Sequence, residues 1–128
     1  MAQLDAAARE LLSRPIYGWV TTIRPDGSLH NTMVALEIDG DDILISATVG
    51  SAKERHVRRD PRAAVSVVDP SNPFHYVSIS GNARLEHQGV DAVLDRLAEK
   101  YDVEKAQDPP GSQRVTIRIT PDHVLRLG

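Results

Sequence analysis

The sequence has 128 residues, 41% hydrophobic, 26% charged and 4% aromatic, which suits one compact domain spanning residues 1–128 and leaves no room for a second. Fifteen Lys and Arg against 18 Asp and Glu give a net charge of −3, which argues against nucleic acid as a partner, and the absence of cysteine excludes disulfides, thiolate nucleophiles and thiolate-held metal or iron–sulfur centres. No apolar run approaches the roughly 18 residues of a membrane span and the N-terminus has no basic-then-apolar leader, so no membrane partner is expected and the expected location is the cytoplasm.

Leu4, Ala7, Ala8, Leu11 and Leu12 recur at helical spacing and end before Pro15, predicting a short amphipathic helix that packs as a lid. From Ile16 the text becomes β-rich. Residues 16–23 and 29–38 read as two strands around Pro25-Asp26-Gly27, where Gly27 can take the positive φ that a tight hairpin needs. A second turn, Asp39-Gly40-Asp41-Asp42, leads into a strand over 43–48 and completes an expected three-stranded meander. Ser51 followed three residues later by Glu54 is a capping-box pattern, so a short helix is expected to start at Ser51 and to end at Asp60-Pro61. Residues 63–68 read as a buried strand and 69–73 as a loop. A fifth strand starts at Tyr76, and Gly81 interrupts it before residues 83–86, predicting a bulge or sharp bend. Val90, Val93, Leu94, Leu97 and Tyr101 share one helical face suited to covering a barrel end. Residues 102–113 read as a loop, and 114–119 alternate into a last strand that resumes at Val124. Six strands with two or three short helices point to a mainly β (α+β), small antiparallel barrel, because closure disposes of sheet edges.

The acidic total has one local exception. Between residues 53 and 62, Lys53, Arg55, Arg58, Arg59 and Arg62 meet only Glu54 and Asp60, leaving +3 there and −6 on the rest of the chain. With Ser51 as cap, Lys53 in the first turn and unpaired amides at the helix start, this stretch suits an anionic ligand, phosphate above all. A solvated helix face with Glu54 paired to Arg58 at i,i+4 uses the same residues, and spacing does not choose between the two. The histidines at 30, 56, 75, 87 and 123 show no His-x-His or His-x-x-x-His spacing and no facial carboxylate set, so no metal centre is expected. Alternation places His30 with Thr32, Val34 and Leu36, as a partly buried histidine or as a proton donor. No Gly-x-Ser-x-Gly elbow, phosphate loop or Gly-x-Gly-x-x-Gly is present, so no catalytic residue is identified. If the chain is an enzyme, the reactive group belongs to a bound cofactor, and a phosphorylated organic one fits the basic helix. Trp19 reads as core or interface. Phe74 and Tyr76, flanking His75, either stack on a flat ligand or cap the barrel.

Four strings carry a resemblance over nearly the whole chain: Val20-Thr21-Thr22-Ile23-Arg24-Pro25-Asp26-Gly27-Ser28, Ile43-Leu44-Ile45-Ser46, Ala52-Lys53-Glu54-Arg55-His56-Val57-Arg58-Arg59-Asp60-Pro61-Arg62 and Ser80-Gly81-Asn82-Ala83. In this order they resemble the pyridoxamine 5′-phosphate oxidase-like split-barrel family, and within it the coenzyme F420 (deazaflavin)-dependent oxidoreductases of actinobacteria. The resemblance implies a split β-barrel of the FMN-binding type and a homodimer with its cofactor sites at the subunit interface. It also implies hydride transfer between reduced coenzyme F420 and a small unsaturated organic substrate. By the same resemblance, Thr48, Ser51, Ala52 and Lys53 hold the cofactor phosphate or the acidic tail beyond it. His30, Asn31, Thr32 and Met33 line the ring, Ser46 and Arg55 belong to the same site, and Phe74, His75 and Tyr76 come across from the partner. His56 stands in this site where relatives often carry an amide side chain. FMN is the alternative cofactor, and a cofactor carrier without turnover is the alternative function. The oligoglutamylated tail of the deazaflavin has more use for Arg55, Arg58 and Arg59 than a single FMN phosphate has.

Overall fold

The computed structural model describes residues 2–128. Its elements are α1 (Ala6–Ser13), β1 (Gly18–Ile23), β2 (Leu29–Val34), β3 (Glu37–Asp39), β4 (Asp42–Thr48), α2 (Ala52–Arg59), β5 (Arg62–Asp69), β6 (Asn72–Glu86), α3 (Val90–Tyr101) and β7 (Arg114–Leu127). Every strand pairing is antiparallel, in the order β2-β1-β5-β6-β7-β4-β3.

That order explains the shape. β2 and β3 are the two free edges of the sheet, yet only Ala35 and Leu36 lie between them in the chain. Three residue steps span at most about 11 Å. The sheet must therefore curl until its edges face each other, giving a barrel closed by the chain and not by a hydrogen-bonded ladder. The single strand expected over 29–38 is accordingly broken at 35–36. The structure has seven strands instead of six, and β2 and β4 lie at opposite sides of the split instead of forming a meander.

At the split, side chains of α3 take the backbone groups that a neighbouring strand would have taken. The Leu36 amide donates to Tyr101 Oη at 3.1 Å, Lys100 Nζ donates to the carbonyls of Leu36 at 2.6 Å and Leu12 at 2.7 Å, and Tyr101 Oη donates to Ile16 O at 2.8 Å. Burial pushes the Lys100 ammonium below its usual pKa, with the Glu37 carboxylate opposing the shift. Tyr101→Phe leaves a buried amide and a carbonyl short of partners. The expected result is a loss of about 1–3 kcal/mol, read as a lower urea midpoint at unchanged m-value.

Alternating residues of the strands fill the interior, among them Val20, Ile43, Ile45, Val65, Val77, Ile79, Ile117 and Ile119. α1 contributes Ala8, Leu11 and Leu12 to this core at 0–1% exposure, against β3, β5 and β6, so the expected lid is a wall of the core. Asp5 caps it by accepting from the Ala8 amide at 2.8 Å. Where a loop was expected over 69–73, Asp69 accepts from both the amide and the hydroxyl of Ser71, which tightens the turn and lets β6 start at Asn72. β6 then runs through Gly81, where its register against β7 shifts as the sequence predicts. α3 has the predicted residues on its buried face, and packs Leu94 and Leu97 over β4 and β7 on the outside of the barrel. Among the described residues, no helix is long and apolar enough to cross a membrane.

Candidate functional site

The basic helix α2 leaves the end of β4 through a turn in which the Ser51 amide donates to Thr48 O at 3.0 Å. Ser51 is its N-cap, but the capping box stays open. Glu54 Oε1 reaches past Ser51 to accept from the Gly50 amide at 2.8 Å, Glu54 Oε2 accepts from Arg58 Nε at 2.8 Å, and Ser51 Oγ has no partner. Glu54 is only 2% exposed. The i,i+4 pair suggested by the sequence is therefore present, but on a buried carboxylate and not on a solvated face.

Other charges on the helix are accounted for differently. Arg62 pairs with Asp60 at 2.7 Å, a hydrogen bond that lowers the Asp60 carboxyl to about 2. Arg59 donates to the carbonyls of Ile23 and Arg24 at 3.2 and 2.7 Å. Among the described residues, Lys53 and Arg55 have no carboxylate partner. These are the charges left over for an anion.

Two cavities flank the first turn of α2. One, of about 310 Å³, lies under α3 and is lined by Met33, Ser46, Lys53, Glu104 and Arg114 together with apolar and aromatic groups of Tyr17, Val34, Leu94, Leu97, Tyr101 and Val103. The Tyr17 and Tyr101 rings pack with centroids 4.9 Å apart, which fixes the aromatic wall to the bonds that Tyr101 makes across the split. The segment after α3 borders this cavity and is tied down by Lys105 to Asp91 and Asp95 at 2.8 and 3.0 Å, and by Arg114 to Asp108 at 2.9 Å. The other cavity, of about 530 Å³, is lined by Arg24, Pro25, His30, Ala52, Arg55, His56, Arg58 and Arg59, with no carboxylate. Ala52, Arg55, His56 and Arg59 fall at i, i+3, i+4 and i+7, so one face of α2 supplies half of that wall.

His30 and His56 stand together at the arginine-lined cavity. Their centroids are 5.1 Å apart in an edge-on arrangement, and His56 Nδ1 lies 2.9 Å from Thr22 Oγ1. Burial, reinforced by Arg24 and Lys53 at His30 and by His30, Arg55, Arg24 and Arg59 at His56, pushes both imidazoles below their usual pKa.

Buried side-chain atoms without a partner, among the described residues, are His30 Nδ1, Thr32 Oγ1, Ser51 Oγ and Thr116 Oγ1. An unsatisfied buried polar atom costs about 1–3 kcal/mol. Three of the four, His30 Nδ1, Thr32 Oγ1 and Ser51 Oγ, belong to residues that the resemblance assigns to a cofactor site. A phosphate held at Ser51 would satisfy one of these atoms, Ser51 Oγ, with Lys53 supplying an unpaired charge, so the residues present fit a phosphate-bearing cofactor.

The predicted site residues divide as follows. Met33, Ser46 and Lys53 line the apolar cavity; His30, Ala52, Arg55 and His56 line the arginine cavity; Thr48 and Ser51 lead into the helix between them. Thr32 is on the same face of β2 as His30, whereas Asn31 is on the other face, exposed and bonded to Thr21 at 3.2 Å. Phe74, His75 and Tyr76 line neither cavity. Phe74 is 72% exposed, His75 Nδ1 is held 3.2 Å from Asp69, and Tyr76 sits opposite Val68 and Leu127. Within one chain the structure does not bring these three to the rest. Sequence reasoning missed Tyr17, Arg24, the inner face of α3 and Arg114 as lining residues. Tyr101 was visible only as the end of an apolar stripe, and its place at the split depends on the chain crossing at 35–36.

Among curated proteins none matches this sequence significantly. Among solved structures, one named F420 Reductase is 30% identical, covering 91% of this chain and 94% of its own with a TM-score of 0.81. A conserved hypothetical protein of Mycobacterium tuberculosis is 23% identical over 97% of this chain and 82% of its own, with a TM-score of 0.81. A pyridoxamine 5′-phosphate oxidase-related, FMN-binding protein of Nostoc punctiforme is 14% identical over 97% and 83%, with a TM-score of 0.69. These last two establish likeness of fold. The family described as pyridoxamine 5′-phosphate oxidase matches residues 4–128, so barrel, split and basic helix are all within the match, and the chain belongs to that family.

Proposed function

We propose that the chain is an oxidoreductase that uses coenzyme F420 to reduce a small unsaturated organic substrate. The observation that carries this reading is the pair of cavities on either side of the start of α2, one largely apolar and aromatic with Lys53 in its lining, the other lined by four arginines and no carboxylate. A tricyclic ring suits the first, a phosphate suits Ser51 Oγ and Lys53 between them, and the second suits a chain of carboxylates. FMN has a ring and a phosphate but nothing to enter the arginine cavity, so the deazaflavin uses more of what is present. The 30% identity to a protein named F420 Reductase supports the same cofactor, whereas the FMN-binding Nostoc protein keeps FMN as the second reading.

The chemistry supplied by bound, reduced deazaflavin is a hydride, which the substrate accepts together with a proton. The protein's own part is binding and exclusion. Lys53 and the α2 amides hold negative charge, Tyr17 and Tyr101 with Leu94 and Leu97 keep one wall dry, and no side chain has to act as a nucleophile.

A second copy of the chain is the partner in this reading. On the outer face of the sheet, Met33, Trp19, Ser66, Ser78 and Leu125 form one cross-strand row. Small residues hold its centre and large exposed apolar ones its ends, with Trp19 at 50% exposure. Such a surface suits a self-complementary contact, and a dimer would let Phe74–Tyr76 approach the partner's cavities. Sedimentation equilibrium should give a dimer for the native chain and a monomer for Trp19→Lys. A monomeric native chain would remove the partner from this account.

The cofactor is tested by titrating the protein with the deazaflavin and with FMN, following Trp19 and cofactor fluorescence. Micromolar or tighter binding of the deazaflavin with weak FMN binding is expected, followed by reduction of acceptors in a screen. Preference for FMN would make the protein a flavin enzyme of the same fold, and tight deazaflavin binding without reduction of any acceptor would make it a carrier.

A further inference from the structure

We propose that the arginine-lined cavity binds a multivalent oxyanion together with one proton, which the His30–His56 pair takes up. The proposal rests on the anion reading of this cavity, and not on which ring fills the other one.

The cavity joins Arg24 from the β1–β2 turn to Arg55, Arg58 and Arg59 on α2. Of the carboxylates near this wall among the described residues, Glu54 is spent on Arg58 and on the Gly50 amide, Asp60 on Arg62 and Asp26 on Ser28, and Lys53 adds a further positive charge near His30. The two imidazoles therefore sit in a field of one sign. Among the described residues, Thr22 is the single side chain hydrogen-bonded to the pair: it meets His56 Nδ1 at 2.9 Å, and His30 Nδ1 is buried without a partner. No negative charge acts on either ring among the groups that shift them, and burial and the arginines both favour the neutral rings.

An oxyanion among the arginines reverses that balance. It cancels the positive field at the pair and adds negative charge on the side from which only arginines had acted, so the protonated form gains relative to the neutral one. With ring centroids 5.1 Å apart, two imidazoliums would repel each other, which limits the uptake to one proton for the pair. The sign follows from linkage. The pair's pKa is higher with the anion bound than without it, so binding strengthens as pH falls through the interval between the two values, by at most about tenfold per pH unit, and is flat outside it.

The test is isothermal titration of the native protein with N-acetylated triglutamate and with inorganic sulfate, in two buffers of different ionisation enthalpy. Both probes keep their charge between about pH 6 and 8. Tighter binding of triglutamate assigns the cavity to a carboxylate chain, and tighter binding of sulfate to a compact phosphate-like group. In either case the apparent enthalpy should differ between buffers by an amount corresponding to uptake of up to one proton, and affinity should rise from about pH 8 to pH 6. Histidine NMR on the same native protein should show one of the two imidazole pKa values rising when the probe binds. The double variant His30→Asn, His56→Asn should lose the buffer dependence. Binding with identical enthalpy in both buffers and unmoved histidine resonances would overturn the proton uptake. Failure of both probes to bind would overturn the anion site, while deazaflavin binding in a parallel titration would leave the cofactor assignment standing.

Discussion

Gly81→Ala is expected to cost about 3 kcal/mol or more, at or beyond the upper end for overpacked sites, and Gly81→Val to yield no folded protein. A Cβ at Gly81 would lie 2.0 Å from the carbonyl oxygen of Thr120, 2.9 Å from its carbonyl carbon and 3.1 Å from the Asp122 amide nitrogen. All three are backbone atoms of β7, paired with β6 on both sides of the register shift, so there is no flexible side chain to move away. The clash sits where the two longest strands bend together, and separating them opens the barrel. Marginal stability of about 5–15 kcal/mol leaves little reserve for such a change. Urea melts followed by circular dichroism measure the Ala variant, and soluble yield reports on the Val variant. A Gly81→Ala protein as stable as the native one would mean that the close approach is not required.

Lys53→Glu should weaken binding of a phosphate-bearing cofactor by more than about 100-fold. The change removes a charge-assisted hydrogen bond of about 1.5–3 kcal/mol and adds repulsion of the phosphate, against about 1.4 kcal/mol for each tenfold step. Lys53 has no carboxylate partner among the described residues, so its replacement leaves no buried charge behind and the folded state should tolerate it. Arg55→Glu makes a sharper comparison. It lines only the arginine cavity, so it should weaken the tailed deazaflavin while FMN binds as before. Equal losses for both cofactors would place the FMN phosphate in the arginine cavity and remove the reason for preferring the deazaflavin.

The sequence shows local structure well and chain crossings poorly. Gly27 and Gly40 mark their turns, Ser51 and Asp60 bracket α2, and the apolar stripe from Val90 to Tyr101 coincides with α3, because each of these signals acts within a few residues. The break at Ala35-Leu36 carries no such signal. Those two residues read as ordinary strand, and what interrupts them is Tyr101 and Lys100, which come from about 65 residues further along and take the backbone groups of Leu36. The same crossing decides the candidate site. Lys53, Ser51 and Arg55 could be picked from charge and capping alone, but the apolar cavity needs Tyr17, Met33, Ser46, Leu94 and Tyr101 from four separate segments. The capping box shows how a correct local pattern can be put to another use. Ser51 and Glu54 are spaced to bond each other's amides, yet Glu54 is drawn to Gly50 and Arg58, and the serine hydroxyl stands without a partner. Phe74, His75 and Tyr76, which the resemblance expects to come across from a second chain, lie apart from both cavities within one chain.

The most direct test of the central claim, that the two cavities flanking α2 hold a single phosphate-bearing, tailed cofactor, is a crystal structure of the protein with the deazaflavin bound. The phosphate should lie at Ser51 Oγ and Lys53 Nζ, the ring beside Met33 and Tyr17, and the tail carboxylates among Arg24, Arg55 and Arg59. A cofactor whose phosphate lies away from α2, or whose tail leaves the arginines untouched, would contradict it.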